Sequence, residues 1–188
     1  MNFSKTKNPY FEIDYSDKLV FYDEDPHFEV DSSFRFIKLT NKTLSDSICE
    51  VYGIENLPCI LFYGQKIYQN EDYQSRISEI ESKKNVILNR RIKDILNSGK
   101  IVLFMKGSIE EPYCRFSKRL VEILKTLDVD LDNVVYYDVL MNDEMREQIK
   151  ETNQWPTFPQ LFINREFIGG YDIVCELQET NQLEKLIK

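Results

Sequence analysis

Five consecutive apolar residues, Ile101–Met105, constrain the fold of this chain more than any other segment. An uninterrupted apolar run of this length is typical of a strand buried on both faces, and such strands occur in α/β sheets that helices cover. Apolar residues at helical spacing precede the run over residues 86–97, and Gly99 ends that helix. The run therefore predicts an α/β fold.

The elements that follow predict a mixed four-stranded sheet with helices on both faces. The first strand, helix and next strand should form a right-handed parallel crossover, and the last two strands an antiparallel hairpin around Asn164 and Arg165. The predicted helices and strands after the apolar run are helix 118–127, strand 134–138, helix 143–152 capped by Asn142, strands 160–163 and 166–168, and a helical region that ends at residue 186.

The N-terminal half has a similar but shorter pattern. The predicted order is strand 18–22, strand 34–39, helix 43–52 ended by Gly53, a hairpin of 59–63 and 66–68 that turns at residues 64–65, and helix 71–81. The polar residues 83–85 form the expected seam. We therefore expect two domains, 1–84 and 86–188.

Charge and hydropathy exclude several classes of partner. The net charge is −8, whereas nucleic acids and anionic membranes require clustered cations. No apolar stretch approaches the roughly 20 residues of a membrane-spanning helix. The first residues lack the apolar segment of a secretory signal and the arginine-rich character of a mitochondrial presequence. The expected location is the cytoplasm, with access to the nucleus as a further option.

The four cysteines are Cys49, Cys59, Cys114 and Cys175, and none belongs to a Cys-x-x-Cys pair. His27 is the single histidine, and no two cysteines have the spacing of metal ligands. A metal site built from one chain is therefore not expected. Any metal chemistry would need ligands from outside the chain. All but Cys114 lie in apolar surroundings, where a small core role is expected.

Cys114 is the candidate reactive residue. It comes after the buried strand and before a helix, so it should lie at the carboxyl edge of the sheet, where open α/β folds place their sites. A helix N-terminus and the nearby charge of Lys106 both favour the thiolate, which is the nucleophilic and metal-binding form. The plainer alternative is an inert thiol in a loop.

The motifs around Cys114 resemble those of monothiol glutaredoxins of the Cys-Gly-Phe-Ser type. Four segments carry the resemblance: Phe-Met-Lys-Gly at 104–107, Glu-Pro-Tyr-Cys-Arg-Phe-Ser at 111–117, Trp-Pro-Thr-Phe-Pro at 155–159 and Gly-Gly-Tyr-Asp-Ile at 169–173. Their order and spacing match over the whole C-terminal domain and imply a thioredoxin fold. Arg115 stands where the family has glycine, and Tyr171 where a cysteine is common.

The resemblance implies a glutathione site. Besides Cys114, it consists of Lys106, Arg146, Phe158, Pro159, Tyr171 and Asp172. The two cations would bind the glycine carboxylate of glutathione. A cis proline would leave the backbone before it free to pair with the cysteinyl unit, and Gly170, through an unusual backbone angle, would start a helix whose amides take the γ-glutamyl carboxylate. The alternatives are solvated surface charges for the cations and a plain helix cap for Asp172.

Residues 52–64, Tyr-Gly-Ile-Glu-Asn-Leu-Pro-Cys-Ile-Leu-Phe-Tyr-Gly, resemble part of a thioredoxin domain. The resemblance implies that Pro58 is cis and opens the third strand of a second, smaller thioredoxin-like domain. No Cys-x-x-Cys follows the first strand, where residues 23–26 are Asp-Glu-Asp-Pro. Such a domain would bind or position something without redox chemistry. The alternative is an unrelated small α/β module.

A [2Fe–2S] cluster usually takes four thiolate ligands, and this chain offers Cys114 alone. Two protomers with two glutathione molecules would complete the set, and the resemblance implies this arrangement, with a BolA-type protein as an alternative partner. The predicted role is transfer of the cluster to iron–sulfur apoproteins in cytosolic iron homeostasis. The alternatives are weak glutathione-dependent oxidoreductase activity through Cys114 and a catalytically silent scaffold.

Overall fold

A computed structural model describes residues 18–24, 26–69 and 72–188, and the chain divides into two compact units between Ile87 and Leu88. The division lies within the helix Lys84–Asn97, which begins inside the predicted polar seam at residues 83–85. The domains 1–84 and 86–188 stay a prediction. Within the described ranges, no helix has the length and apolar content needed to cross a membrane.

The N-terminal unit contains a four-stranded mixed sheet. Its elements are β1 (Leu19–Tyr22), β2 (Arg35–Lys38), α1 (Lys42–Tyr52), β3 (Cys59–Phe62), β4 (Gln65–Tyr68) and α2 (Tyr73–Ser82), followed by the start of α3 (Lys84–Asn97). The strand order is β2-β1-β3-β4; β1 runs parallel to β2, and the other pairs are antiparallel. The hairpin turns at residues 63–64, one position before the predicted turn.

The C-terminal unit confirms the predicted mixed four-stranded sheet flanked by helices. Its elements after α3 are β5 (Ile101–Met105), α4 (Arg115–Thr126), β6 (Val134–Asp138), α5 (Asp143–Asn153), β7 (Gln160–Ile163), β8 (Glu166–Gly169), α6 (Tyr171–Glu179) and α7 (Gln182–Ile187). The order is β6-β5-β7-β8, with β5 parallel to β6 and antiparallel to β7. All five residues of β5 are buried, as its apolar run predicts.

Most predicted boundaries differ from the structure by one or two residues, and three differences are larger. Helix α4 begins at Arg115 rather than at residue 118, because Cys114 itself has the extended N-cap conformation. The last helical region is two helices, α6 and α7, separated at Asn181, whose φ is +55°. A 3-10 helix at Leu131–Asn133, capped by Asp130, was not predicted.

Helices α4 and α5 position the residues of interest. The buried face of α4 includes Leu120 and Leu124, both fully inaccessible, and each contributes about 1.5–3 kcal/mol by leaving water. The side chain of Asn142 accepts a hydrogen bond from the Met145 N–H at 2.8 Å, which confirms the predicted N-cap of α5. The core thus holds α4 along its length, and the Asn142 cap fixes the end of α5 that follows β6.

Candidate functional site

Cys114 lies at the carboxyl edge of the C-terminal sheet, as predicted. It is the N-cap of α4, with φ −141° and ψ 144°, and its side chain is only partly exposed. The Ser117 hydroxyl donates a hydrogen bond to Cys114 Sγ at 3.6 Å. The same hydroxyl accepts the backbone N–H of Lys106 at 3.3 Å. Ser117, fully buried, therefore connects the end of β5 to the thiol.

The pKa of Cys114 lies below its ordinary value. Burial alone would raise this pKa, but it is outweighed by hydrogen bonds from Ser117, through its backbone N–H and its hydroxyl, and from the Phe116 N–H. The charge of Lys106 lowers the pKa further. Because the donors are those of the first turn of α4, the local fold itself stabilises the thiolate.

The loop at residues 107–113 immediately precedes Cys114, and backbone contacts between its two ends close it. Gly107 pairs with Pro112 in an antiparallel bridge, and the Tyr113 N–H donates to the Lys106 carbonyl at 2.9 Å. The buried carboxylate of Asp138, at the end of β6, accepts the N–H groups of Gly107 and Leu140, each at 2.9 Å. Asp138 therefore holds this loop beside the chain that follows β6.

A groove of about 340 Å³ opens next to Cys114. Its lining residues are Lys106, Cys114, Phe116, Leu140, Arg146, Lys150, Pro156, Thr157 and Phe158. The charged residues of this lining are three cations, with no carboxylate among them. The groove is therefore suited to an anionic ligand that places a sulfur atom near Cys114.

Two of the groove cations come from α5. Arg146 pairs with Asp143 at 2.8 Å and with Glu147 at 3.5 Å, and Lys150 pairs with Glu147 at 2.8 Å. Both carboxylates are largely exposed, so these pairs are weak and can give way to a carboxylate in the groove. The structure thus brings the predicted Lys106 and Arg146 together and adds Lys150.

The peptide bond between Phe158 and Pro159 is cis, as predicted. Phe158 lines the groove and makes no hydrogen bond to any described residue, while Pro159 is buried behind it. The fully buried Gln160 holds this turn, because its amide donates to the Trp155 carbonyl at 3.1 Å and accepts from Asn153 at 2.8 Å. The backbone of Phe158 is therefore held in place with its hydrogen-bonding groups unused.

Tyr171 and Asp172 begin α6 and do not line the groove. The Tyr171 ring lies 5.4 Å from the ring of Phe116, which does line it, whereas Asp172 is exposed. Tyr171 also shares a hydrogen bond with Cys175, the largest cause of its raised pKa. Tyr171 thus adjoins the groove wall, and neither residue forms part of it.

The backbone before α6 corrects one expectation. Gly170, at φ −86°, has an ordinary backbone angle; Gly169, at φ +147°, has the unusual one. Gly170 is nevertheless required, because a Cβ there would lie 2.9 Å from Trp155 Nε1. Gly169 is required for its packing as well as its conformation, because a Cβ there would lie 2.7 Å from Ile173 Cβ.

Sequence reasoning missed Lys150 and the role of Ser117. Lys150 follows Arg146 by four residues, so it shares its helix face, and that spacing was the available signal. No signal revealed that the Ser117 hydroxyl points at the sulfur. Cys59 is fully buried, and Cys49 and Cys175 are partly buried and pack against the core of their units, as their apolar surroundings predict. In the part of the chain that the structure describes, three or more His, Cys, Asp or Glu side chains nowhere form a metal-binding group.

The chain is similar to known proteins over its C-terminal unit. Residues 101–168 match the glutaredoxin family. An uncharacterized monothiol glutaredoxin of Porphyra purpurea is 50% identical over 97 residues, which cover 52% of this chain and 88% of that protein. Glutaredoxin 3 of Danio rerio is 33% identical over 168 residues, 79% of this chain and 50% of that protein.

Among solved structures, the holo form of glutaredoxin C1 from Populus tremula x tremuloides has a TM-score of 0.50 at 20% identity. The alignment covers 56% of this chain and 90% of that one, and at this identity it supports the fold alone. The sequence identity to the Porphyra purpurea protein, over nearly its whole length, goes further. The chain belongs to the monothiol glutaredoxin family.

Proposed function

We propose that this chain binds glutathione in the groove beside Cys114 and, as a pair of protomers, carries a [2Fe–2S] cluster for transfer to other proteins. One observation supports this proposal most: a single thiol of lowered pKa stands at the end of a groove whose charged residues are all cations. A thiolate so placed can bind iron, but it needs further thiolates from elsewhere.

Glutathione is chemically suited to this groove. Its glycine carboxylate would be bound by Lys106, Arg146 and Lys150, through charge-assisted hydrogen bonds. Its cysteinyl unit would pair with the unused backbone groups of Phe158, as one strand pairs with another. These two contacts would leave the glutathione sulfur next to Cys114.

The γ-glutamyl end would reach the start of α6. The first backbone amides of this helix have no partner in the helix and carry partial positive charge, so they suit a carboxylate. Asp172, exposed beside them, would accept the γ-glutamyl ammonium group. Tyr171 would contribute through its contact with Phe116 on the groove wall.

Four thiolates are the usual ligand set of a [2Fe–2S] cluster. Two copies of Cys114 and two glutathione molecules supply that number, so the cargo would bridge two protomers. A BolA-type protein could replace one protomer, and iron–sulfur apoproteins would be the recipients. Because half of such a ligand set is a diffusible tripeptide, the cluster would be released readily. We place this activity in cytosolic iron–sulfur metabolism.

Reconstitution with iron, sulfide and glutathione tests this proposal. We expect visible absorbance bands, a doubling of the mass in size-exclusion chromatography, and two glutathione molecules per dimer. Cys114→Ser should remain colourless, and Cys49→Ser, the control, should load like the unmodified chain. Colour that persists without any thiol, or in Cys114→Ser, would contradict the proposal.

A second candidate function is thiol–disulfide exchange, and the partly exposed, activated thiol favours it. The Cys114 thiolate would attack the glutathione sulfur of a mixed disulfide. A new bond would then join the Cys114 and glutathione sulfurs, and the substrate thiolate would leave and take up a proton. Because Ser117 occupies the place of a second thiol, a second glutathione must release the first.

Mass spectrometry distinguishes this candidate from a silent scaffold. A glutathione mixed disulfide with 2-mercaptoethanol should add glutathione to Cys114 and to no other cysteine. The free thiol of the chain should return when glutathione is added. An unchanged mass after prolonged incubation would reject the second candidate and leave the cluster proposal to its own test.

A further inference from the structure

We propose that Arg115, Lys118 and Arg119 form a basic face that binds an acidic segment of the protein that exchanges glutathione or a cluster with Cys114. This inference rests on the proposed function, because the bound protein is the one that reacts at this thiol. The three residues lie three and four positions apart at the start of α4, so they share one side of the helix. All three side chains are exposed.

The charge of this face is not neutralised within the described residues. None of the three cations forms an ion pair there with a carboxylate, and Arg119 has only a hydrogen bond with the Tyr171 hydroxyl. The first turn of α4 has no acidic residue, and the first carboxylate along the helix is Glu122. This cluster stands out in a chain whose net charge is −8.

The three cations lie near the N-terminus of α4, where positive charge lowers the stability of the helix. The partial positive charge of a helix N-terminus favours acidic side chains there and disfavours basic ones. Three cations in the first two turns of α4 therefore break a local rule, and none of the described carboxylates pairs with them to compensate. Such conflicts are expected where the surface has a binding role.

Arg115 is held in place, which makes it a defined recognition group. Its guanidinium lies over the ring of Phe116, 4.6 Å from the ring centroid, and Phe116 lines the groove. The cation that lowers the pKa of Cys114 is Lys106. Arg115 is outside the groove lining, so glutathione in the groove would leave it free for a carboxylate of a second protein.

An acidic polypeptide is a better match than a nucleic acid. Phosphate polymers are bound by long tracks of cations, and their affinity falls when the protein is anionic overall. Three cations on one helix face match a few carboxylates at peptide spacing. The proposed occupant is therefore a short acidic segment that adjoins a reactive sulfur of the partner.

Fluorescence anisotropy with a labelled, cysteine-free peptide rich in glutamate tests the face directly. The full chain should bind this peptide and not its lysine-rich counterpart. Arg115→Gln combined with Lys118→Gln should weaken binding about fivefold or more, as expected for exposed charge pairs. Lys125→Gln, at the other end of α4, is the matched control and should bind like the unmodified chain.

Three outcomes would overturn the inference: no binding of the acidic peptide at low salt, equal binding by the double variant, or equal binding of an oligonucleotide of the same charge. A second arm uses glutathionylated peptides with acidic or basic residues next to the disulfide. The acidic substrate should react faster at Cys114, and the double variant should lose this preference. If no disulfide reacts, including an uncharged one, the thiol-exchange function fails, while the anisotropy result still decides whether the face binds acidic segments.

Discussion

In both units a central strand pairs in parallel with one neighbour and antiparallel with the other: β1 with β2 and β3, β5 with β6 and β7. In both, a cis proline stands immediately before the antiparallel strand: Pro58 before β3 and Pro159 before β7. The connections between the parallel strands differ. Residues 106–133 include α4, whereas the described residues between 23 and 34 include no helix.

This difference concerns the thiol at the sheet edge of the C-terminal unit. The sulfur of Cys114 is activated by donors from the first turn of α4, and the N-terminal unit has no such turn after β1 in its described part. The cavity beside Pro58, about 290 Å³, is lined by Glu55 and by no cation. The two units share the same arrangement of strands. The helix after the first strand of the C-terminal unit contributes the donors that lower the pKa of Cys114.

The largest expected effect is the loss of thiol reactivity in Cys114→Ser. Alkylation at neutral pH with a limiting amount of iodoacetamide should label Cys114 first, and this variant should lose more than about 90% of the fast phase, because thiolates and not thiols react. Cys49→Ser should retain that phase. Peptide mapping measures the labelling of each cysteine. Fast labelling of Cys49 would contradict the proposed difference between the two units.

Matched core substitutions test whether the two units are packed equally well. Leu61 in β3 and Leu161 in β7 are both buried on a central antiparallel strand. Leu→Ala at either position should reduce the stability of its own unit by about 2–5 kcal/mol. Hydrogen–deuterium exchange in urea resolves the two units. A much smaller effect at Leu61 would mean that the N-terminal sheet does not have a packed core like that of its counterpart.

Two glycines with positive φ should differ in their tolerance of a side chain. A Cβ on Gly107 would lie 2.4 Å from the Glu111 carbonyl oxygen, so Gly107→Ala should cost about 3 kcal/mol through backbone strain. A Cβ on Gly53 would meet only the flexible end of Lys66, at 3.2 Å, and should cost about 1 kcal/mol. Urea denaturation followed by exchange gives both values, and a reversed order would contradict the reasoning.

The smallest expected effect concerns the hydrogen bond from Ser117 to the thiol. Removing a bond worth about 1 kcal/mol in Ser117→Ala should raise the pKa of Cys114 and reduce its alkylation rate near neutral pH about fivefold. The pH profile of alkylation measures this change. Ser98→Ala, in the same unit, is the control and should keep the original profile.

The same lowered pKa has a consequence for stability. Because the folded thiol ionises at lower pH than the unfolded one, its contribution is complete above the unfolded pKa and is lost as the pH falls through the folded pKa. Stability should therefore rise with pH between these two values, and Ser117→Ala should flatten the rise. Denaturation at several pH values distinguishes the variant from the Ser98→Ala control.

The sequence by itself determined the type and order of most elements, because these follow from local patterns. The apolar run of β5 predicted a strand buried on both faces, Asn142 and Gly53 marked helix ends, and the motif around Cys114 predicted a reactive thiol at a sheet edge. Helix boundaries were predicted less accurately: α4 begins three residues before its predicted start, and α6 and α7 were predicted as one helical region. These boundaries depend on backbone angles, such as those of Cys114 and Asn181, that composition does not fix.

The tertiary structure decided what surrounds the sulfur. Lys150 lies near Lys106 and Arg146 because α5 and the end of β5 meet at one groove. The extended N-cap conformation of Cys114 directs its sulfur towards the Ser117 hydroxyl. Tertiary packing also excludes a side chain at both glycines before α6, because a Cβ would meet Ile173 at Gly169 and Trp155 at Gly170. The sequence specified which groups are available, and the packing of elements distant in sequence determined the distances on which their chemistry depends.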